Sequence, residues 1–146
     1  MGVDPLIVPI VVLVAWTLCV MFWMAATRFG AMRRHGVRLK GARGGRGQNL
    51  EGVLPDEVSW KAHNYQHLME QPTIFYAIVI CLVLMGASMP INWALAWGYV
   101  IFRILHSIWQ STVNIVAVRF GLFLLSSFCL LGLTVHALAF ILNARI

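Results

Sequence analysis

Four stretches of apolar residues, each long enough to cross a lipid bilayer, constrain the fold of this chain most strongly. A spanning helix needs about 20 predominantly apolar residues, and the stretches cover roughly residues 5–27, 59–88, 91–114 and 119–142. The chain is 60% hydrophobic and only 11% charged, which excludes an ordinary soluble domain. The sequence therefore predicts one all-α integral membrane domain over residues 1–146, folded as a bundle of four transmembrane helices.

The first apolar stretch is predicted to be a retained helix and not a cleaved signal peptide. It begins with Asp4 and Pro5 instead of a basic segment, and its apolar run is longer than that of a signal peptide.

The distribution of basic residues predicts the orientation in the membrane. Seven of the eleven Lys and Arg residues fall in the predicted loop 28–58, at Arg28, Arg33, Arg34, Arg38, Lys40, Arg43 and Arg46. Basic loops stay on the cytoplasmic side, so both termini are expected outside, in a bacterial inner membrane. This loop accounts for the net charge of +6, and a nucleic-acid partner is not predicted.

Five ionisable side chains of the second and third apolar stretches share one predicted membrane depth: His63, His67, Glu70, Arg103 and His106. Such a group costs roughly 2.5–3.5 kcal/mol at the bilayer centre unless it faces a partner or a wet cavity. The helical rise places Glu70 and Arg103 at similar depths, about 17–18 Å from the cytoplasmic ends of their helices. We therefore expect these two residues to form an ion pair.

Helical spacing places these side chains on two polar faces. The faces comprise His63, His67 and Glu70 on the second helix, and Arg103, His106, Gln110 and Asn114 on the third. Because polar faces cannot point at lipid, they should face each other or a neighbouring subunit. Arg119, Lys61 and Asn64 add polar groups at the same side, so the sequence predicts a cationic pocket suited to an anionic ligand.

Some of these residues also fit purely structural roles. Glu70 and Arg103 would form an ion pair with or without a ligand, and Arg119 also fits a positive-inside anchor. His136, alone in the last helix, is expected to be a packed, hydrogen-bonded residue. A metal site from the three clustered histidines lacks any tight ligand motif, so no metal is predicted.

Two local motifs make the chain resemble the MAPEG family, the membrane-associated proteins in eicosanoid and glutathione metabolism, in a bacterial-type form. Residues 61–72, KAHNYQHLMEQP, resemble the family pattern Arg-Ala-His…Asn-x-x-Glu-Asn…Pro. Residues 103–106, RILH, resemble its Arg-x-x-His, and Arg119 follows sixteen residues after Arg103, as in the family. The resemblance covers nearly the whole chain.

The resemblance implies a homotrimer that binds glutathione as co-substrate at subunit interfaces on the cytoplasmic side. Arg119 is similar in position to the arginine that stabilises the glutathione thiolate, and would be the catalytic residue. The resemblance and the polar faces together give a candidate glutathione site of Glu70, Arg103, His106, His67, Asn64, His63 and Gln110.

The chain departs from the family pattern at several positions. His67 stands where the family has a glutathione-binding asparagine, with Gln66 and Asn64 as candidate substitutes, and Lys61 replaces the leading arginine. Three further positions lack a hydroxyl group that other members carry. Gln110 and Phe123 stand where some members have tyrosine, and Phe120 stands where a prostaglandin-forming branch has serine. These departures argue against the isomerase chemistry of that branch.

Two classes of function remain open from the sequence. The first is a glutathione-dependent transferase or peroxidase that acts on lipophilic small molecules entering from the lipid bilayer. The alternative is a non-catalytic protein that binds lipid or serves as a scaffold or accessory subunit of a membrane complex. Whether the protein is an enzyme is not decided by the sequence.

Overall fold

Four long helices form the protein in a computed structural model that describes residues 2–37 and 44–144. They are α1 (Ile7–Arg34), α2 (Asp56–Leu84), α3 (Pro90–Thr112) and α4 (Val116–Ala144), with a short 3-10 helix at Gly47–Leu50. The described residues contain no β-strand, only a single bridge between Glu51 and Leu54. The prediction of an all-α fold with four helices is confirmed.

Three of the helices, α1, α2 and α4, are long and apolar enough to cross a membrane. The third helix, α3, has 23 residues and is about 34 Å long, but its polar face lowers its hydropathy. The prediction of an integral membrane protein is supported by three spans, and the fourth span stays a prediction.

Glycine caps end α1 and α2, and neither helix ends at the approximate limit of its apolar stretch, residue 27 or residue 88. Gly36 and Gly86 have φ angles of +70° and +68°, and Val37 N–H donates to the Met32 carbonyl at 3.0 Å while Ala87 N–H donates to the Leu82 carbonyl at 2.9 Å. This bond pattern is the Schellman motif. Consequently α1 continues past residue 27 to Arg34, and α2 ends before residue 88.

The basic cluster therefore divides between a helix and a loop. Arg28, Arg33 and Arg34 lie on the last turns of α1, and Arg46 lies just before the 3-10 helix. Arg38, Lys40 and Arg43 lie outside the described residues.

The bundle is closest packed where α3 meets α4. A Cβ added to Gly98 would lie 3.0 Å from the Cys129 Sγ, and one added to Gly132 would lie 3.0 Å from a Leu95 methyl group. Small residues at these two positions let the helices approach closely. Close packing of α3 on α4 holds the polar face of α3 at a fixed distance from the first turns of α4.

An apolar core fills the centre of the bundle and receives side chains from all four helices. Phe75 of α2 stacks on Tyr99 of α3 with ring centroids 4.2 Å apart. Leu13 of α1 and Leu133 of α4 are fully buried in the same core. At the end of the bundle that contains the turn between α2 and α3, His136 bonds to the Asn92 Oδ1 at 2.7 Å, which confirms the prediction that it is a hydrogen-bonded residue.

Candidate functional site

One set of polar side chains joins α1, α2 and α3, and we call it the α1-side cluster: Trp16, Asn64, Ser107 and Ser111. Asn64 is fully buried, and its Nδ2 donates to the Ser107 Oγ at 2.7 Å and to the Ser111 Oγ at 2.8 Å. The Trp16 Nε1–H donates to the Ser107 Oγ at 2.9 Å. These bonds hold three helices together by satisfying the Asn64 amide donor in an apolar environment, while the Asn64 Oδ1 has no partner among the described residues.

A second set, the α4-side cluster, surrounds Arg103 nearer the turn between α2 and α3, and comprises His67, Gln71, Tyr99, Arg103, His106 and Ser127. Arg103 is fully buried. Its Nη1 lies 3.1 Å from the His67 Nδ1, its Nε donates to the Tyr99 hydroxyl at 3.2 Å, and its Nη2 donates to the Gln71 Oε1. The Gln71 Nε2 in turn donates to the Ser127 Oγ at 2.9 Å, which connects the cluster to α4.

The predicted ion pair between Glu70 and Arg103 is wrong within one chain. Glu70 is exposed, and the described residues contain a single ion pair, between His63 and Glu51 at 2.8 Å. Successive residues of a helix point about 100° apart, and it is Gln71, one position later, that faces the arginine. Arg103 is thus a buried cation held by neutral acceptors.

Aromatic rings enclose the guanidinium and the two histidines beside it. His67 stacks on His106 with centroids 4.9 Å apart and planes 20° apart, and the edge of Phe123 lies against His67 at 5.5 Å. The Arg103 Cζ lies 5.1 Å from the centre of the Phe123 ring, a distance at which a cation is attracted to the ring face. This packing fixes the orientation of the imidazole rings.

Two cavities flank this cluster. The polar cavity has a volume of about 340 Å³ and is lined by His63, Gln66, His67, Glu70, Gln110 and Arg119. The apolar cavity has a volume of about 250 Å³ and is lined by His67, His106, Val116, Arg119, Phe120 and Phe123. Because His67 and Arg119 line both, the two cavities adjoin.

Arg119 lies in the first turn of α4, half-buried between the cavities. Its Nη1 donates to the Asn114 Oδ1 at 2.8 Å, and Asn114 has a φ of +56° in the turn that joins α3 to α4. A guanidinium has five N–H donors, and this bond uses one of them. The remaining donors are available to an anion beside either cavity.

Gln110 is an additional polar group on the wall of the polar cavity. The side chain is 5% exposed, and its Oε1 has no hydrogen-bond partner among the described residues. A buried acceptor without a donor is costly, so this amide is suited to receive an N–H from a bound molecule.

The structure thus places six of the eight sequence-predicted site residues on the cavity walls and leaves two of them off these walls. His63, His67, Glu70, Gln110 and Arg119 line the polar cavity, and His106 lines the apolar one. Arg103 contacts His67 and lines neither cavity. Asn64 is in the α1-side cluster instead. The described residues contain no group of three or more His, Cys, Asp or Glu side chains arranged to hold a metal ion.

Sequence reasoning did not identify the partners of Arg103. Gln71 and Tyr99 are uncharged, as is Ser127, which bonds to Gln71. A search for opposite charges therefore does not select them. One signal was available, since Tyr99 precedes Arg103 by four residues and such pairs lie on one helical face.

Comparison with known proteins gives one match. The sequence profile of the MAPEG family matches residues 6–139, a range that contains every residue lining the two cavities. No curated protein and no solved structure matches the chain.

Proposed function

The chain belongs to the MAPEG family, and on that premise we propose that it is a membrane-embedded transferase that uses glutathione, or a related thiol, against lipophilic electrophiles. The observation that carries the proposal is the pair of adjoining cavities that share Arg119 and His67. One cavity is polar and the other is lined by Val116, Phe120 and Phe123. The polar cavity would bind a thiol-containing peptide, and the apolar cavity would bind a lipophilic molecule.

The polar cavity has the donors and acceptors that a peptide thiol requires. Glutathione carries two carboxylates, one amino group, amide groups and a thiol. Arg119 and His63 would bind carboxylate or thiolate groups, while Glu70 and the Gln110 Oε1 would accept N–H groups. The family resemblance assigns Arg103 and His106 to the same site, and the described contacts support an indirect role for Arg103.

In the proposed mechanism, Arg119 acts at the sulfur atom. The thiolate is the nucleophile in conjugation, and a cation beside it raises the thiolate fraction at neutral pH. Val116, Phe120 and Phe123 would hold the electrophile and exclude water next to the guanidinium, which strengthens the electrostatic interaction. The sulfur would form a C–S bond as the C–Cl bond of a chloronitrobenzene breaks and chloride departs. The product, a thioether, would leave by the polar side.

Assembly as a homotrimer is part of the proposal and is supported by the exposed face of α2. His63, Gln66, Glu70 and Thr73 are exposed on a single chain, and their spacing of 3, 7 and 10 residues places them on one helical face. Such a face is untenable in lipid, so a neighbouring subunit would cover it. Light scattering in mild detergent, corrected for bound detergent, should give three copies; a monomer would contradict this part of the proposal.

We further place the protein in a bacterial inner membrane with the site on the cytoplasmic side. This orientation rests on the basic residues Arg28, Arg33, Arg34 and Arg46, which cluster at the end of α1 and in the following segment.

The decisive experiment compares the wild type with Arg119→Leu in conjugation of a lipophilic chloronitrobenzene. The variant should turn over about 10–1000-fold more slowly, which is the scale for loss of one electrostatic stabiliser. Glutathione affinity should fall much less. Arg33→Leu is the matched control, because Arg33 is exposed at the end of α1, away from both cavities.

A second readout is the ultraviolet absorbance of the thiolate when glutathione is added. The wild type should show it and Arg119→Leu should not. If the wild type shows neither turnover nor thiolate, the transferase proposal fails.

The alternative is a non-catalytic lipid-binding or scaffold protein, and one observation favours it. Phe120 and Phe123 fill the wall of the apolar cavity where hydroxyl groups would assist chemistry in other members. In that case a carboxylate headgroup would bind in the polar cavity and an acyl chain in the apolar one. Binding of a fatty acid without any thiol-dependent turnover would support this alternative.

A further inference from the structure

His67 is held in a single tautomer by its contact with Arg103. A guanidinium has hydrogen-bond donors and no acceptor. Because the Arg103 Nη1 lies 3.1 Å from the His67 Nδ1, the Nδ1 atom accepts this bond through its lone pair. A neutral imidazole that accepts at Nδ1 carries its proton at Nε2. His67 therefore has a hydrogen-bond donor, Nε2–H, on the side of its ring that points away from Arg103.

The Nε2–H of His67 has no hydrogen-bond acceptor within residues 2–37 and 44–144, and the side chain is half-buried on the wall of both cavities. The ring cannot turn freely, because it stacks on His106 at 4.9 Å and meets the edge of Phe123 at 5.5 Å. Rotation by half a turn about χ2 would also break the bond to Arg103. The donor is thus oriented before a ligand arrives.

The charge of Arg103 strengthens this donor. Arg103 is fully buried and bonds to Gln71, Tyr99 and His67, none of which is a carboxylate. Its positive charge is therefore left uncompensated in a low-dielectric environment. A hydrogen bond from a guanidinium to one side of a ring polarises the N–H on the other side, and this N–H favours an anionic acceptor.

We propose that the Nε2–H of His67 donates a hydrogen bond to the thiolate sulfur, so that two positive groups stabilise this atom: Arg119 directly and Arg103 through His67. The inference rests on the proposed thiol chemistry and assigns His67 as a catalytic residue of it. His67 keeps its proton throughout and is not the base. The thiol proton leaves to water through the polar cavity, which Gln66 and Glu70 line.

Two substitutions of His67 separate the role of its Nδ1 atom from the role of its Nε2–H group. In His67→Asn, the shorter amide reaches the position of Nδ1 and can accept from Arg103, but the distant donor is lost. In His67→Gln, the longer amide reaches the position of Nε2 and restores a donor to the cavity. His136→Asn is the matched control, since His136 bonds to Asn92 at the end of the bundle that contains the turn between α2 and α3.

The measured quantities are the thiolate absorbance on addition of glutathione and the turnover of a lipophilic chloronitrobenzene. His67→Asn should lose the thiolate signal and turn over about 10–100-fold more slowly, towards the lower end of the loss expected for one oriented donor. Glutathione affinity should change by less than about 3-fold, because the carboxylate partners remain. His67→Gln should recover part of the signal, and His136→Asn should match the wild type.

The outcomes distinguish this inference from the proposal on which it rests. A wild type without turnover or thiolate overturns both. A wild type with both, together with His67→Asn that behaves identically, overturns the role of His67 alone.

If the His67 variants do not fold, nitrogen NMR of histidine-labelled wild type gives the test. Glutathione should shift one Nε2 resonance, and S-methylglutathione, which cannot form a thiolate, should not. Identical spectra with the two compounds would overturn the inference.

Discussion

The α1-side and α4-side clusters share the helices α2 and α3, yet they differ in what their polar groups contact. In the α1-side cluster, Asn64, Ser107 and Ser111 bond to one another and to Trp16, and none of them lines either of the two cavities. In the α4-side cluster, His67 and His106 lie on cavity walls, with a buried cation behind them. Polar residues within a membrane bundle thus serve packing where they bond among themselves, and are available for chemistry where donors and acceptors remain free beside a cavity.

The largest expected loss of stability follows from removal of an Arg103 acceptor. Gln71→Leu leaves the Nη2 of a buried guanidinium without its partner and should lower the free energy of unfolding by about 1.5–3 kcal/mol, the range for hydrogen bonds to charged groups. The double variant with Arg103→Leu should recover much of this loss, because no buried charge remains. Thermal unfolding in detergent measures both.

Gln48→Leu is the matched control, since it removes the same amide from an exposed residue of the 3-10 helix that lines neither cavity. If Gln71→Leu melts like this control, Arg103 does not depend on Gln71, and the α4-side cluster is held together in another way.

The difference between Gln71 and Glu70 also shows where sequence reasoning reached its limit. Charge and depth selected Glu70 as the partner of Arg103, because opposite charges within a membrane are expected to meet. The rotation of α2 about its axis decides otherwise, and it is set by the packing of apolar residues such as Phe75 against Tyr99. That rotation cannot be derived from helical periodicity alone, since a polar face fixes direction only to within about one residue.

The fold was more predictable than the site, because length and hydropathy are local properties. Three of the four predicted spans are supported, and Arg119 and His67 were both expected at the pocket. Asn64 shows the opposite case. It lies three residues before His67, close enough in sequence to share its role, but its amide donates to Ser107 and Ser111 of α3 and is used in packing.

A smaller effect is expected on the α1 side, where stability and activity should separate. Ser111→Ala removes the hydroxyl that accepts from the Asn64 Nδ2 at 2.8 Å and should lower the free energy of unfolding by about 1 kcal/mol. Turnover per folded protein should stay at the wild-type value, because Ser111 is fully buried and lines neither cavity. A fall in turnover at unchanged stability would show that the two clusters are coupled.

The smallest loss of stability is expected when Glu70 is replaced. The ion pair predicted from the sequence would have made this loss the largest, because breaking a buried pair lowers the free energy of unfolding by roughly 3–5 kcal/mol. Glu70 is exposed and makes no ion pair with any described residue of its own chain. Glu70→Gln should therefore leave the Tm of the protomer unchanged. Glutathione affinity should fall about 10-fold, equivalent to about 1.4 kcal/mol, because the carboxylate is the strongest acceptor on the wall of the polar cavity. Calorimetric titration and thermal unfolding on the same preparation separate the two effects.

A lower Tm accompanied by dissociation of the oligomer would place the partner of Glu70 in a neighbouring subunit. Arg103 would then remain a cation compensated only by the anion that binds beside His67.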